Sequence, residues 1–178
     1  MKKLLAQAKT ELEIALLDIK KFSAFRSKSL YLNTNDLSEK HLNEIILPKI
    51  NLDNQVIYII KLNGICNLTE ALNKYKSSDA NIKLPKINKE NFNSEVLYVG
   101  SVQNNFKGRI KQHLGFGSES TYSLKLVKWA KKEKLDVVIE YFVLENTNSV
   151  ITVRLIENIL ANSLKPQFGK HDINKNNK

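Results

Sequence analysis

The chain contains 178 residues, 42% of them hydrophobic and 26% charged, which is enough to bury a core and indicates one domain with room for a helical appendage. The net charge of +10 favours a polyanionic partner, and nucleic acid fits best, although the lysines could also form a merely solubilising surface. Cys66 is the only cysteine, which excludes a disulfide or a Cys-based zinc site within one chain and implies a reducing compartment.

No segment has the pattern of a membrane anchor or of a cleaved signal. The first residues include two lysines, as a secretory signal does, but polar residues interrupt the apolar part at Gln7, Lys9, Glu11 and Glu13. No later stretch approaches the length of a transmembrane span. We therefore expect a cytoplasmic protein that does not enter a membrane.

Residues 1–50 are predicted to form an N-terminal helical extension. Between residues 3 and 22, apolar residues recur every three or four positions, which predicts an amphipathic helix that packs on the main domain; they are Leu5, Ala8, Leu12, Ala15, Leu16 and Ile19. A second short helix is predicted from Leu37 to Ile46, with Asp36 as its N-cap and Pro48 stopping it. The stretch FRSKSLYLNTN between the two helices is interpreted as a connector.

Two strands follow, separated by an insertion. The β-branched run QVIYIIKL, residues 55–62, predicts a buried strand, and the Asn-Gly pair after it predicts a turn. Asn67 and Glu70 have the spacing of a capping box, which opens a helix of about ten residues. The second strand is predicted from Glu95 to Gly100, so residues 63–94 lie between the strands as an inserted segment.

The rest of the chain is basic at first. Eight Lys or Arg stand against two Glu between Leu97 and Lys134. Helices are predicted at Phe106–Leu114, Tyr122–Lys132 and Asn148–Leu164, the last ended by Pro166, with a third strand at Asp136–Leu144 and a disordered tail at residues 172–178. The order of the elements predicts an α+β fold with a small antiparallel sheet.

Each of the first two predicted strands carries a tyrosine. Alternate residues of a strand share a face, so Tyr98 is expected to point the same way as Val96 and Gly100. If the strands pair, Tyr58 and Tyr98 can meet, and Gly100 would let the backbone pass close to a phosphate. The alternative is that both tyrosines only pack in the sheet.

Arg109 and His113 are four residues apart and therefore share one face of the next predicted helix. An arginine at this place can bind a phosphate through both arms of its guanidinium and stabilise the charge of a transition state. The alternative is that the two residues form a solvated helix face.

Glu157 lies on the last predicted helix among apolar neighbours. A carboxylate against an apolar face is costly unless it is paired or bound to a cation. A single Mg²⁺ ion fits, because Mg²⁺ takes one or two carboxylates and fills its other positions with water and phosphate. The alternative is an ion pair with Arg154, three residues earlier.

Taken together, the order and spacing of these residues resemble the GIY-YIG nuclease family. Val56-Ile57-Tyr58 stands where that family has its first tripeptide, and Tyr98-Val99-Gly100 stands where it has its second. SVQNNFKGRIKQH resembles the family's next segment, and ENILANSLKP resembles its glutamate helix, with nine positions from Glu157 to Pro166. The resemblance covers roughly residues 55–170.

The resemblance implies a compact sheet of three antiparallel strands flanked by helices, with residues 51–171 as the nuclease domain and residues 63–94 as an insertion of the kind that some restriction-enzyme branches carry. It also implies DNA cleavage that depends on Mg²⁺ or Mn²⁺. Tyr58 or Tyr98 would help to activate water, Arg109 would contact the phosphate, and Glu157 would bind the metal. The catalytic residues of this hypothesis are Tyr58, Tyr98, Arg109, His113 and Glu157.

Basic residues of the two middle helices are predicted to contact the DNA backbone. The lysines of the second of these helices recur at close to one helical turn and should lie mostly on one side. The predicted DNA-binding residues are Lys107, Lys111, Lys125, Lys128, Lys131 and Lys132.

One position departs from the family pattern. The asparagine expected three residues after the proline is Gly169 here, and His171 or Asn174 is a candidate to take its place. The leading hypothesis is a Mg²⁺-dependent DNA endonuclease of a restriction or mobile-element system. The alternatives are a catalytically impaired DNA-binding relative, and an interaction protein that forms a homodimer through the N-terminal helix.

Overall fold

The computed structural model describes residues 2–21, 26–50, 55–78, 82–144 and 149–170. Its strands are β1 (Arg26–Asn33), β2 (Gln55–Leu62), β3 (Val96–Val102) and β4 (Asp136–Leu144). Its α-helices are α1 (Lys2–Lys21), α2 (Glu39–His41), α3 (Thr69–Ser78), α4 (Phe106–Leu114), α5 (Leu126–Trp129) and α6 (Val150–Leu164). A π-helical turn at Leu42–Ile46 and 3₁₀ turns at Leu47–Lys49, Lys89–Asn91 and Lys131–Glu133 complete the described elements.

The four strands form one antiparallel sheet in the order β1-β4-β2-β3, so β3 is an edge strand. The α+β class is confirmed, and so are the predicted bounds of β2 and β4. The prediction of three strands is wrong because β1 lies in the stretch interpreted as a connector, within the extension predicted to be helical. Among residues 27–33 of β1, whose side chains the structure describes, Leu30 and Leu32 are the buried ones, so the apolar alternation is too short to stand out in the sequence.

Helices cover both faces of the central strands. On one face, Ile57 and Ile59 of β2 pack with Val153 and Ala161 of α6. On the other face, Tyr58 and its neighbours share the main core with residues of α3, α4 and α5. Because both faces are covered, residues 56–60 are all buried, which explains why β2 reads as a continuous apolar run.

Two predicted helices differ from those observed. The helix predicted from Leu37 begins later, with Ser38 as its N-cap, and Pro48 lies inside the 3₁₀ turn that continues it. The helix predicted at Tyr122–Lys132 is reduced to the four residues of α5. Lys125 precedes α5 with a φ of 53°, a left-handed conformation that no α-helix can contain. By contrast, the bounds of α4 are confirmed, and the predicted end of α6 at Leu164 is confirmed, although residues 145–148 before it lie outside the described residues.

The N-terminal helix α1 contacts α6, as its predicted packing on the domain requires. Ala15 is buried, but most of the apolar stripe remains in solvent: Leu5 is 66% exposed, Leu12 60% and Leu16 52%. Within the described ranges, no helix combines the length and apolar character needed to cross a membrane. The predicted disordered tail at residues 172–178 lies outside the described residues.

Candidate active site

The two tyrosines meet, as the pairing of β2 with β3 predicted. Their rings are stacked with centroids 6.2 Å apart, and Tyr58 lies opposite Gly100 in the register of the two strands. A Cβ atom on Gly100 would lie 2.5 Å from the Tyr58 hydroxyl oxygen. A side chain at position 100 would collide with the ring of Tyr58, which explains the glycine. The sequence had suggested a different reason, the close approach of a phosphate.

A β-bulge in β3 sets the direction of Tyr98. Ile60 pairs with Tyr98 but Lys61 pairs with Val96, so Leu97 is the extra residue. Leu97 and Tyr98 both contact the core around Tyr58, whereas Val96 packs on the α6 side of the sheet. The prediction that Val96 shares a face with Tyr98 is wrong for this reason.

Arg109 joins both tyrosines. Its Nε donates to the Tyr58 hydroxyl at 2.9 Å and its Nη2 donates to the Tyr98 hydroxyl at 3.2 Å. Its Nη1 donates to Gln112 Oε1 and to the carbonyl of Tyr122, both at 3.1 Å. A guanidinium has five N–H groups, so within the described part of the chain a single Nη2 hydrogen is left for another acceptor. A two-armed grip on phosphate is therefore wrong for this conformation, and one hydrogen bond is what Arg109 can offer.

His113 is fully buried behind Tyr58. The backbone N–H of Leu124 donates to its Nδ1 at 3.3 Å, so the ring proton is on Nε2, which lies 2.9 Å from the Tyr58 hydroxyl. Burial, assisted by the positive charges of Arg109 and Lys125, lowers the pKa of His113 well below its ordinary value. His113 is thus a neutral donor in one fixed tautomer, and the interpretation of a solvated helix face is wrong.

Both tyrosine hydroxyls are arranged as donors. The Tyr58 oxygen accepts from Arg109 and from His113, which occupies both lone pairs and leaves its own hydrogen free to donate. Burial raises the pKa of Tyr58 far above its ordinary value, and burial is also the main reason why the pKa of Tyr98 is raised. Each hydroxyl therefore stays protonated at neutral pH and cannot remove a proton. Only that of Tyr98, which is half-buried, can orient water or phosphate, because Tyr58 is fully buried.

Glu157 approaches the site from the other side of β3. It lies half-buried on α6, and Ser101, the residue after Gly100, donates to its Oε2 at 2.5 Å. Its negative charge is one of the smaller causes, after burial, of the raised pKa of Tyr58 and of Tyr98. Ser101 belongs to the edge strand β3, so within the described residues no further strand lies beyond it in the sheet.

The surroundings of Glu157 are compatible with a divalent cation. Within the described residues, Arg154 makes no ion pair with Glu157, and Oε1 of the carboxylate has no hydrogen-bond partner. The same part of the chain contains no group of three or more His, Cys, Asp or Glu that could enclose a metal. One carboxylate with a neighbouring hydroxyl is nevertheless a sufficient protein contribution for Mg²⁺, which keeps several waters and binds substrate phosphates.

The predicted DNA-binding lysines divide into two groups. Lys125 is 1% exposed, and its Nζ donates to the carbonyl of Ser118 at 2.7 Å, so the prediction that it reaches DNA is wrong. Its left-handed backbone turns the side chain into the loop that follows α4. The other five remain at the surface or half-buried: Lys107, Lys111 (2.9 Å from Glu39), Lys128 (3.3 Å from Glu119), Lys131 and Lys132.

The segment after Pro166 is held by a residue that the sequence interpretation did not select. Gln167 is fully buried; its Nε2 donates to the carbonyls of Cys66 and Ser94, each at 2.7 Å, and its Oε1 accepts from Leu68 N–H at 3.2 Å. The one feature of the sequence that could have pointed to Gln167 is its polar amide directly after the proline that ends the helix.

Gly169 is a glycine for a backbone reason. Its φ is +120°, which side chains rarely adopt, and its N–H donates to the carbonyl of Lys86 at 2.9 Å. A Gly169→Asn replacement would therefore test backbone strain rather than a missing amide. His171 and Asn174, the predicted substitutes, lie outside the described residues.

Ser101, Gln112 and Tyr122 also belong to the site without having been predicted. Ser101 acts through Glu157, and Gln112 and Tyr122 act through Arg109. Tyr122 contributes only a backbone carbonyl, which no side-chain pattern could reveal.

Comparison with protein-family models, with curated proteins and with solved structures finds no match to this chain.

Proposed function

We propose that the protein is a Mg²⁺-dependent DNA endonuclease of the GIY-YIG type that hydrolyses phosphodiester bonds. The observation that carries the proposal is a hydrogen-bonded cluster at β3: Arg109 donates to the hydroxyls of Tyr58 and Tyr98, and His113 is bonded to Tyr58. Glu157 of α6 accepts a hydrogen bond from Ser101 on the same edge strand. A half-buried guanidinium, a tyrosine hydroxyl and a separate carboxylate are suited to a reaction that develops negative charge on a phosphate.

Each residue has a role that its contacts support. The free Nη2 hydrogen of Arg109 binds a phosphate oxygen, and its other four N–H groups fix its direction. The hydroxyl of Tyr98, which is only half-buried, donates to the attacking water or to the phosphate and so orients the reacting groups. Tyr58 is fully buried and acts through Arg109, whose Nε–H it accepts. His113 is a positioning residue, because it contacts the site only through Tyr58.

Glu157 would hold the cation, Mg²⁺ or Mn²⁺, through the oxygen that Ser101 leaves open. When bound, such a cation stabilises charge on the phosphate and lowers the pKa of its bound water. His113 is a buried neutral donor and both tyrosines stay protonated, so none of these three side chains can take a proton from water. Proton removal from water therefore falls to the carboxylate of Glu157 or to solvent.

DNA is the substrate that the charge of the chain supports. The net charge of +10 includes exposed lysines close to α4 and α5, among them Lys107, Lys131 and Lys132. Such residues bind phosphates without regard to sequence and release counterions from the duplex. A cytoplasmic restriction or mobile-element system is the setting that we propose.

The test is cleavage of supercoiled plasmid by the purified chain in Mg²⁺, in Mn²⁺ and in EDTA. Cleavage is expected with either cation and not in EDTA, and Glu157→Gln should abolish it while leaving the fold and DNA affinity intact, because the amide lacks the charge that holds the cation. Glu140→Gln is the matched control, since Glu140 is also half-buried on the sheet but pairs with Lys61 at 2.6 Å. Full cleavage by Glu157→Gln, or equal cleavage by wild type in EDTA, contradicts the proposal.

A DNA-binding relative without catalysis is the second candidate. It is favoured by the engagement of Arg109, four of whose five N–H groups are bound within the protein. This candidate predicts salt-dependent DNA binding with no cleavage in any cation, so the same assay separates the two.

A further inference from the structure

The inserted segment returns to the rim of the site. After α3 the chain runs beside the loop that follows α4, where the N–H of Lys83 donates to the carbonyl of Glu119 at 3.1 Å. The Nζ of Lys83 then lies 5.6 Å from the centre of the Tyr122 ring. The insertion and the loop after α4 thus meet in one pair of side chains, an ammonium over an aromatic ring.

Tyr122 is both exposed and fixed to the site. Its side chain remains in solvent, and the residue is 63% exposed even with Lys83 over the ring. Its carbonyl accepts a hydrogen bond from Nη1 of Arg109 at 3.1 Å. The ring therefore belongs to a residue whose backbone is hydrogen-bonded to Arg109, the side chain assigned to the reacting phosphate.

Lys83 and Tyr122 together offer contacts for the two parts of one nucleotide, its base and its phosphate. An aromatic face stacks on a nucleobase whatever its identity, and an ammonium beside it attracts the adjoining phosphate. In a duplex the base faces are covered by their neighbours, so a protein ring can stack only on a base that is unpaired or has been turned out of the helix. A solubilising role would explain Lys83 but leaves the exposed aromatic ring unexplained.

We infer that Lys83 and Tyr122 form a subsite for one unpaired nucleotide beside the phosphate held by Arg109. This inference rests on the proposed nuclease function for its position but concerns binding, which can be measured without cleavage. It assigns the choice of DNA form to Tyr122 and the adjoining phosphate to Lys83 of the inserted segment: the protein prefers DNA with an unpaired nucleotide next to the cleaved bond over a fully paired duplex.

The experiment compares binding of the full chain, in EDTA, to a labelled blunt duplex and to the same duplex with a short single-stranded overhang, followed by fluorescence anisotropy. Wild type is expected to bind the overhang more tightly. Tyr122→Ala should weaken overhang binding by about 5- to 150-fold, the effect of one lost base stack, with little change for the blunt duplex. Tyr122→Phe should bind as wild type does, since a phenyl ring also stacks.

Two further variants make the result specific. Tyr31→Ala is the matched control, because Tyr31 is 78% exposed but lies on β1 at the opposite edge of the sheet; its binding should equal that of wild type. Lys83→Gln should weaken binding to both DNAs and lower the slope of affinity against salt by about one unit. An overhang carrying 2-aminopurine should lose fluorescence on binding wild type, because stacking quenches it, and not on binding Tyr122→Ala.

Each contrary outcome has a defined meaning. Wild-type affinity in Tyr122→Ala, equal losses in Tyr122→Ala and Tyr122→Phe, or no binding of the overhang by wild type overturns the subsite. If the subsite fails while plasmid cleavage by wild type is normal, the nuclease function stands alone. If overhang binding depends on Tyr122 but no cation supports cleavage, the subsite stands and the nuclease function fails.

Discussion

The two sides of strand β3 are built differently. On the α4 side, Tyr58 and His113 are fully buried, and Arg109 spends four of its five N–H groups on protein partners. On the α6 side, Glu157 is half-buried and its carboxylate makes a single hydrogen bond, to Ser101. The sealed side is part of the core, whereas the open side has capacity left for a ligand. Substitutions of the fully buried residues on the sealed side should therefore change folding stability and activity together, and those of partly buried residues should change activity alone.

The largest effects on cleavage rate are expected for substitutions of the two tyrosines, one fully buried and one partly buried. Tyr58→Phe and Tyr98→Phe should each lower the cleavage rate by about 10²- to 10⁴-fold. The first removes the acceptor that directs Arg109, and the second removes a hydroxyl that orients the reacting groups, while each ring remains. Only Tyr58→Phe should also cost about 1–3 kcal/mol of unfolding free energy, since it leaves the buried Nε2–H of His113 and the Nε–H of Arg109 without an acceptor. Urea unfolding with single-turnover cleavage measures both; wild-type rates in both variants would make the tyrosines packing residues.

On the open side, Ser101→Ala should act on the cation requirement. Loss of the hydroxyl frees Glu157 to rotate, so the Mg²⁺ concentration for half-maximal cleavage should rise by about 10- to 100-fold. The thermal midpoint should stay close to that of wild type, because the serine is only partly buried. A fall in stability with an unchanged Mg²⁺ requirement would place Ser101 on the structural side of the comparison.

The sealed side should also give the fold a pH dependence through His113. Its pKa is lowered in the folded state, so below the ordinary value near 6.5 the unfolded chain binds the proton and the folded chain does not. The stability is therefore complete above about pH 6.5 and is lost as the pH falls, with a limiting slope of about 1.4 kcal/mol per pH unit. Urea midpoints at pH 7.5, 6.5 and 5.5 measure this slope. His113→Gln should flatten it, and equal slopes in the two proteins would show that another group is responsible.

The smallest effects are expected for lysine substitutions, which compare exposed lysines with a buried one. Replacing Lys131 and Lys132 with Gln should lower the slope of DNA affinity against salt by about two units, one for each lost phosphate contact, without affecting stability. Lys125→Gln should leave the slope unchanged and lower stability, because the buried ammonium is hydrogen-bonded to Ser118. A salt slope that falls for Lys125→Gln and not for the double variant would reverse the assignment of the two groups.

The sequence predicted those parts of the fold and site that depend on local patterns. The β-branched run of β2 and the strand β4 were found to the residue, and α4 lies between a side-chain cap at Asn105 and a left-handed Gly115. The four-residue step from Arg109 to His113 also sufficed to bring both to Tyr58.

What the sequence could not predict depends on contacts between distant segments. The bulge at Leu97 arises from the pairing of β3 with β2, and β1 is recognised only by its partner β4. Gly100 is needed because the Tyr58 ring crosses it, and Lys125 is buried where its ammonium donates to the carbonyl of Ser118. Nothing in the spacing of Glu157 indicated that Ser101 of the edge strand would donate a hydrogen bond to it.

The insertion between β2 and β3 has a consequence for how the protein can evolve. The entropy of closing a loop grows only with the logarithm of its length, so each doubling of the connection costs about 0.6 kcal/mol. Burial of one leucine contributes about 1.5–3 kcal/mol, and α3 within the insertion buries Leu72 completely. The added chain can thus be close to neutral for folding while both strands keep their pairing. The surface residues of this connection can then change without disturbing the pairing of β2 with β3, and under the proposed function selection on DNA binding can act there.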